Sequence, residues 1–164
     1  MKEKISTALV MVLFMLVTVP DAFSHCEIPC GIYGDEIRFY MLEEHITTIE
    51  KSMTTIVELS QQEDKNYNQL VRWIENKETH ADYIQEIVSQ YFMTQRVKPI
   101  GEEDVEKHKK YIDKITLLHK MLISAMKMKQ TTDLEHIKEL KILTSDFRRA
   151  YFGAEHIEHT HPHR

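Results

Sequence analysis

The chain reads as an all-α protein, an antiparallel up-down-up-down four-helix bundle behind an irregular N-terminal segment. Three observations predict this. Between Asp35 and Phe152 the sole proline is Pro99 and the sole glycine is Gly101, so helix breakers are almost absent. Apolar residues recur at spacings of three and four, the helical period. Polar or proline-bearing breaks divide that stretch into four, and short connections favour antiparallel neighbours.

The first helix carries Ile46, Ile49, Met53 and Ile56 on one stripe. A polar run over 60–66 separates it from the second, whose stripe is Tyr67, Leu70, Ile74, Ala81, Ile84, Val88 and Tyr91. Residues 94–101, with Pro99, form the next break. The third helix opens on Glu102, Glu103 and Asp104, an acidic first turn that suits the helix dipole. Its stripe is Val105, Ile112, Ile115, Leu122 and Met126. Residues 130–133 then lead into the fourth helix, with Thr132 and Glu135 spaced as a capping box and Leu134, Ile137, Leu140, Leu143 and Phe147 as its stripe.

Lys77, His108 and His119 fall on inner positions and are expected to be hydrogen-bonded, at the boundary, or facing another subunit. His108 and His119 are eleven residues apart, ~16 Å along a helix, so one ion cannot bind both. A di-iron carboxylate bundle needs Glu-x-x-His pairs on two helices, and the chain has none. Phosphate loops, dinucleotide fingerprints and nucleophile elbows are also missing.

Residues 1–24 have the anatomy of a secretory signal peptide. Lys2 and Lys4 precede an apolar run from residue 8 to 19, and Ala22-Phe23-Ser24 offers small residues at a cleavage point. The run is shorter than the ~20 residues of a spanning helix. Removal of this leader leaves 140 residues of formal charge −5, a single-domain length whose acidic balance disfavours nucleic acid. The expected organisation is leader 1–24, metal-binding hook 25–34, bundle 35–152 and a His-rich, disordered tail 153–164. The expected location is exported (periplasm, extracellular space or an organelle lumen) rather than cytoplasm, free of the membrane after cleavage by a signal or leader peptidase.

Cleavage before His25 puts unusual chemistry in one place. The segment His25-Cys26-Glu27-Ile28-Pro29-Cys30-Gly31-Ile32-Tyr33-Gly34 holds both cysteines of the chain. A terminal α-amine, the amide nitrogen of Cys26 and the Cys26 sulfur form fused chelate rings suited to a planar ion. Cys30 closes the square, and the His25 ring is free to approach along the axis. Square-planar nitrogen and sulfur donation points to Ni(II) or Cu(II), and thiolates tend to reduce Cu(II), which makes nickel the better fit of the two. Strong donation by two thiolates and an amide lowers the Ni(III)/Ni(II) couple, which suits one-electron chemistry on a small substrate.

The segment resembles the N-terminal hook of the nickel superoxide dismutases, H-C-x-x-P-C-G-x-Y, matching at His25, Cys26, Pro29, Cys30, Gly31 and Tyr33. The run from His45 to Met53 is similar to that family's first helix. The resemblance implies one nickel ion per subunit, held by His25, Cys26 and Cys30, with Tyr33 as the phenol that orders anion and water at the open face. It implies superoxide as substrate, disproportionated to oxygen and hydrogen peroxide by Ni(III)/Ni(II) cycling, in a homohexamer. The carboxylate and base that hold the axial imidazole map onto Glu43 or Glu44 and onto His80.

Two other functions compete. A Cys26–Cys30 disulfide in an exported helical interaction domain is what two cysteines in a secreted chain suggest by themselves. A nickel or copper carrier would use the tail histidines His156, His159, His161 and His163.

Overall fold

The computed structural model describes residues 34–153, and these form an all-α four-helix bundle. Helix α1 spans Asp35–Gln61, α2 Tyr67–Glu86, α3 Val105–Gln130 and α4 Glu135–Phe152. A π-helical segment, Ile87–Arg96, continues α2. α1 packs chiefly against α2, and α3 chiefly against α4. With the chain running up, down, up and down, Asp35, Arg96, the 97–104 loop and Phe152 lie at one end. The 62–66 and 131–134 loops lie at the other. Among the described residues no helix is long and apolar enough to cross a membrane.

Local chemistry explains where the helices start. The Asn66 side chain accepts from the Gln69 amide at 3.2 Å, and Asp104 from the Lys107 amide at 3.1 Å, each satisfying one orphan donor of a first turn. Asp104 is thus the cap of α3, and Glu102 and Glu103 precede the helix; Glu106 is the acid of its first turn. The expected capping box at Thr132 does not form. Glu135 is the first helical residue rather than the third, and its amide is taken by Asp133 Oδ1 at 3.0 Å.

The break expected from residue 94 begins later, because helical backbone continues to Arg96. Side chains reinforce the wide turn. Thr94 Oγ1 donates to the Ser89 carbonyl at 2.8 Å and Gln95 Nε2 to the Gln90 carbonyl at 3.0 Å, both five residues back. That register also stacks Arg96 over the Tyr91 ring, 4.8 Å from its centroid. Such segments recur at functional sites.

The core grades along the bundle. At the Asp35 end, Phe39, Phe92 and Phe147 are fully buried, their ring centroids 4.9–5.6 Å apart. Toward the other end it is aliphatic and thioether: Leu42, Ile46, Met53, Leu118, Met121 and Met128. The stripes expected for α2 and α3 are partly displaced. Tyr67 and Ile74 are exposed although Ala81, Ile84 and Val88 on the same stripe are buried. In α3, Val105, Ile112 and Met126 are exposed, and Leu118, Met121, Ala125 and Met128 fill the core. At 100° per residue the Leu118, Met121, Ala125 and Met128 line lies roughly 120° or more round α3 from the Val105, Ile112 and Met126 line, so both are helical stripes and only one faces the core.

The polar residues flagged on the inner face resolve individually. Lys77 is 4% exposed, and its ammonium donates to the Met128 carbonyl at 2.7 Å, to the Lys129 carbonyl, and to Glu78 at 3.0 Å. It therefore caps the last turn of α3. His108 Nδ1 lies 2.8 Å from the Ile100 carbonyl, at the core boundary. His119 is exposed.

Candidate metal centre and its supports

His25, Cys26, Cys30 and Tyr33, the sequence-derived site residues, lie outside the described residues, as do the tail histidines. Among the described residues no group of three or more His, Cys, Asp or Glu side chains could hold a metal ion. Both cysteines of the chain are Cys26 and Cys30, so thiolate ligation can only come from the N-terminal segment. An amine, an amide nitrogen and two thiolates are a donor set that fits a nickel ion.

What the structure does describe is the place where that segment joins the bundle. Asp35, the first residue of α1, follows Tyr33 by two positions and Cys30 by five. Its carboxylate is gripped from three sides. Tyr91 Oη donates to Oδ1, Tyr151 Oη donates to Oδ2 at 2.9 Å, and Arg96 Nε lies 2.9 Å from Oδ1. Arg96 Nη2 also donates to Tyr91 Oη at 2.9 Å. Burial acts to raise the Asp35 pKa, but the two phenols and the guanidinium together hold it below the usual carboxylate value. Burial and the Asp35 charge push both tyrosines up, so each phenol keeps its proton. The hydrogen bond to Tyr91, supported by the Asp35 charge, raises Arg96. The network joins α1, the π segment and α4.

A second tie lies one turn along. Arg148 of α4 bonds Glu36 and, at 3.2 Å, Glu43 of α1, and lies 5.5 Å from the ring centroids of Phe39 and Tyr40. Glu43 is thereby engaged by a guanidinium. Glu44 is exposed beside His45, whose pKa it acts to raise. His80 faces His45 across the α1–α2 seam, their Nδ1 atoms 2.9 Å apart, with the Tyr83 ring against both. One imidazole donates and the other accepts, so both cannot be protonated. Burial first, and for His45 the neighbouring His80 as well, lowers both pKa values. Of the residues expected to hold the axial imidazole, then, His80 and Glu44 meet at His45, and Glu43 turns to Arg148.

A family model described as nickel-containing superoxide dismutase matches residues 20–155. The chain belongs to the nickel-containing superoxide dismutase family. No curated protein and no solved structure matches it. Membership makes this protein a nickel-dependent superoxide dismutase, an oxidoreductase whose substrate is superoxide and whose cofactor is nickel.

Sequence reasoning missed the Asp35 network and the part played by His45. Asp35 was visible as the first helical residue after the hook motif. Nothing local marked Tyr151, 116 positions away, as its partner.

Proposed function

We propose that the nickel of this dismutase is carried by the hook: the α-amine of His25, the amide nitrogen and thiolate of Cys26 and the thiolate of Cys30 would hold it, with the His25 imidazole as a further donor. The observation that carries this reading is the donor set itself. The chain is a nickel enzyme with two cysteines in all, and these stand four apart beside a histidine at a predicted cleavage point. Nickel would supply one-electron cycling between its divalent and trivalent states, taking two superoxide ions and two protons to one oxygen and one hydrogen peroxide.

The chain's own residues have separable parts in this scheme. The thiolates and the amide donate charge that lowers the couple into reach. Tyr33 offers a phenol O–H to anion or water at the open face. Pro29 sets the turn, and Gly31 permits close backbone approach. His80, with His45 and Glu44, is the group proposed to meet the His25 imidazole.

Maturation requires a peptidase, and the leader suggests export. Assembly into a homohexamer is the further proposal. The large apolar residues left exposed on α2 and α3, among them Tyr67, Val71 and Ile112, are consistent with burial against other copies.

The test is substitution at the thiolates. Cys26→Ser and Cys30→Ser are each expected to lose bound nickel and superoxide turnover while the helical content stays. Retention of nickel-dependent turnover by either would refute the hook as the metal site.

A further inference from the structure

We propose that residues 87–96 are a two-register segment, latched in the π register by the Asp35 carboxylate of α1. The α register is the default for this stretch, which continues α2 and meets no glycine or proline before Pro99. π backbone is rare and mostly confined to single turns. Ten residues of it, Ile87–Arg96, therefore call for something that holds them.

Three consecutive side chains are matched to partners five positions back. Thr94 Oγ1 donates to the Ser89 carbonyl at 2.8 Å, Gln95 Nε2 to the Gln90 carbonyl at 3.0 Å, and Arg96 Nη2 to Tyr91 Oη at 2.9 Å. The backbone closes the series, with the Val97 N–H donating to the Phe92 carbonyl at 2.8 Å. On an α-helix, positions five apart stand roughly 140° round the axis. Every one of these pairs would part in the α register, and Val97 would turn to the Met93 carbonyl, four back.

The pairs are not equal as holders. Thr94 and Gln95 make theirs at exposed positions, where a hydrogen bond gains little over one to water. They follow the register. Tyr91 and Arg96 are tied to another helix. Tyr91 Oη donates to Asp35 Oδ1, and Arg96 Nε lies 2.9 Å from the same oxygen. One oxygen thus engages both ends of a five-residue step, which requires those ends to share a side of the segment. Tyr91 is 5% exposed, with the Arg38 guanidinium 5.0 Å from its ring centroid, so its ring has no room to swing after a departing Arg96. Tyr151 of α4 donates to Oδ2 at 2.9 Å and fixes the direction in which the carboxylate points. The rival holder is the core, because Phe92 and Val97 are both buried.

The test compares crystal structures and amide hydrogen exchange of the mature, nickel-loaded protein with those of three variants. Asp35→Asn removes the charge, Asp35→Ser also withdraws the reach, and Thr94→Ala/Gln95→Ala removes the local bonds while leaving Asp35 in place. In both Asp35 variants the Val97 N–H is expected to leave the Phe92 carbonyl and Arg96 to leave Tyr91. Exchange of the amides of residues 94–97 should quicken about tenfold or more, while those in the middle of α1 keep their rates. The Thr94→Ala/Gln95→Ala protein is expected to keep the five-back register. Asp35 variants that retain the bond from Val97 to Phe92 at unchanged exchange would assign the register to the core and overturn the latch. A shift produced by Thr94→Ala/Gln95→Ala would overturn it as well, since the local side chains would then be the holders. Either result leaves the proposed metal donors untouched, because none of them enters the measurement.

Discussion

The two ends of this bundle each enclose a charge, and they do so for different ends. At the 131–134 end, Lys77 is sunk in the core and spends its ammonium on two carbonyls of the last turn of α3. These are acceptors every helix must satisfy somehow. At the opposite end Asp35 is held by two phenols and a guanidinium drawn from two other segments. No helix needs that arrangement in order to close. Its effect is to fix the first residue of α1 against the π segment and α4, two positions after Tyr33 in the sequence. One charge finishes a helix; the other anchors the start of α1.

The largest effect that separates the two ends belongs to the hook itself. Cys26→Ser or Cys30→Ser should cut activity at least about a hundredfold, the scale on which even residues behind the ligands of a metal site act. Thermal unfolding of the nickel-free chain should not move, because the helices of the bundle begin only at Asp35. Next is Lys77→Met. It keeps an unbranched apolar stem but strips the carbonyls of Met128 and Lys129 of their donor, at a cost of about 2 kcal/mol in chemical denaturation. Nickel content and kcat should be unchanged.

Asp35→Asn should cost about 1–2 kcal/mol, since it weakens hydrogen bonds to a charged acceptor. Unlike Lys77→Met it should loosen the hook, which nickel titration would register as weaker uptake. Its pH dependence follows from the direction of the shift. The folded-state pKa of Asp35 lies below the ordinary carboxylate value, so its contribution is fully present above that value and is lost as pH falls through the folded pKa. The acid limb of the unfolding curve should be shallower in the variant.

The smallest effect is at His45 and His80. Both are held below the ordinary imidazole value of about 6.5, so the unfolded chain binds more protons than the folded one as pH falls beneath it. Stability should decline from about pH 6.5 downward until the folded pKa values are passed, and His80→Gln should flatten that decline by a few tenths of a kcal/mol. A His80→Gln curve that keeps the full slope would show the pair to be uncoupled.

The sequence carried the fold because helix type depends on local period and on the scarcity of Pro and Gly, both readable in the chain. It carried less of the core. The stripe Val105, Ile112 and Met126 looked inward, yet a second stripe of the same period, Leu118, Met121 and Ala125, is the one that faces the core. Caps were misplaced by one to three residues, since Thr132 and Asp133 compete for the same amide and only packing chooses. The proposed metal donors were conspicuous because their chemistry is concentrated in ten consecutive residues. Their supports were not: Tyr91, Arg96 and Tyr151 converge on Asp35 from 56 to 116 positions away, and the π segment that aligns Tyr91 with Arg96 has no period in the sequence to announce it.

The central claim is that nickel is held by a freed His25 amine, and one measurement addresses it most directly. Two nickel-loaded proteins are compared for metal stoichiometry and superoxide turnover, one beginning at His25 and one bearing a single additional alanine ahead of it. The account predicts one nickel per chain and full turnover in the first, and loss of both in the second, where the amine has become an amide. Equal nickel content and equal turnover in the two would contradict it.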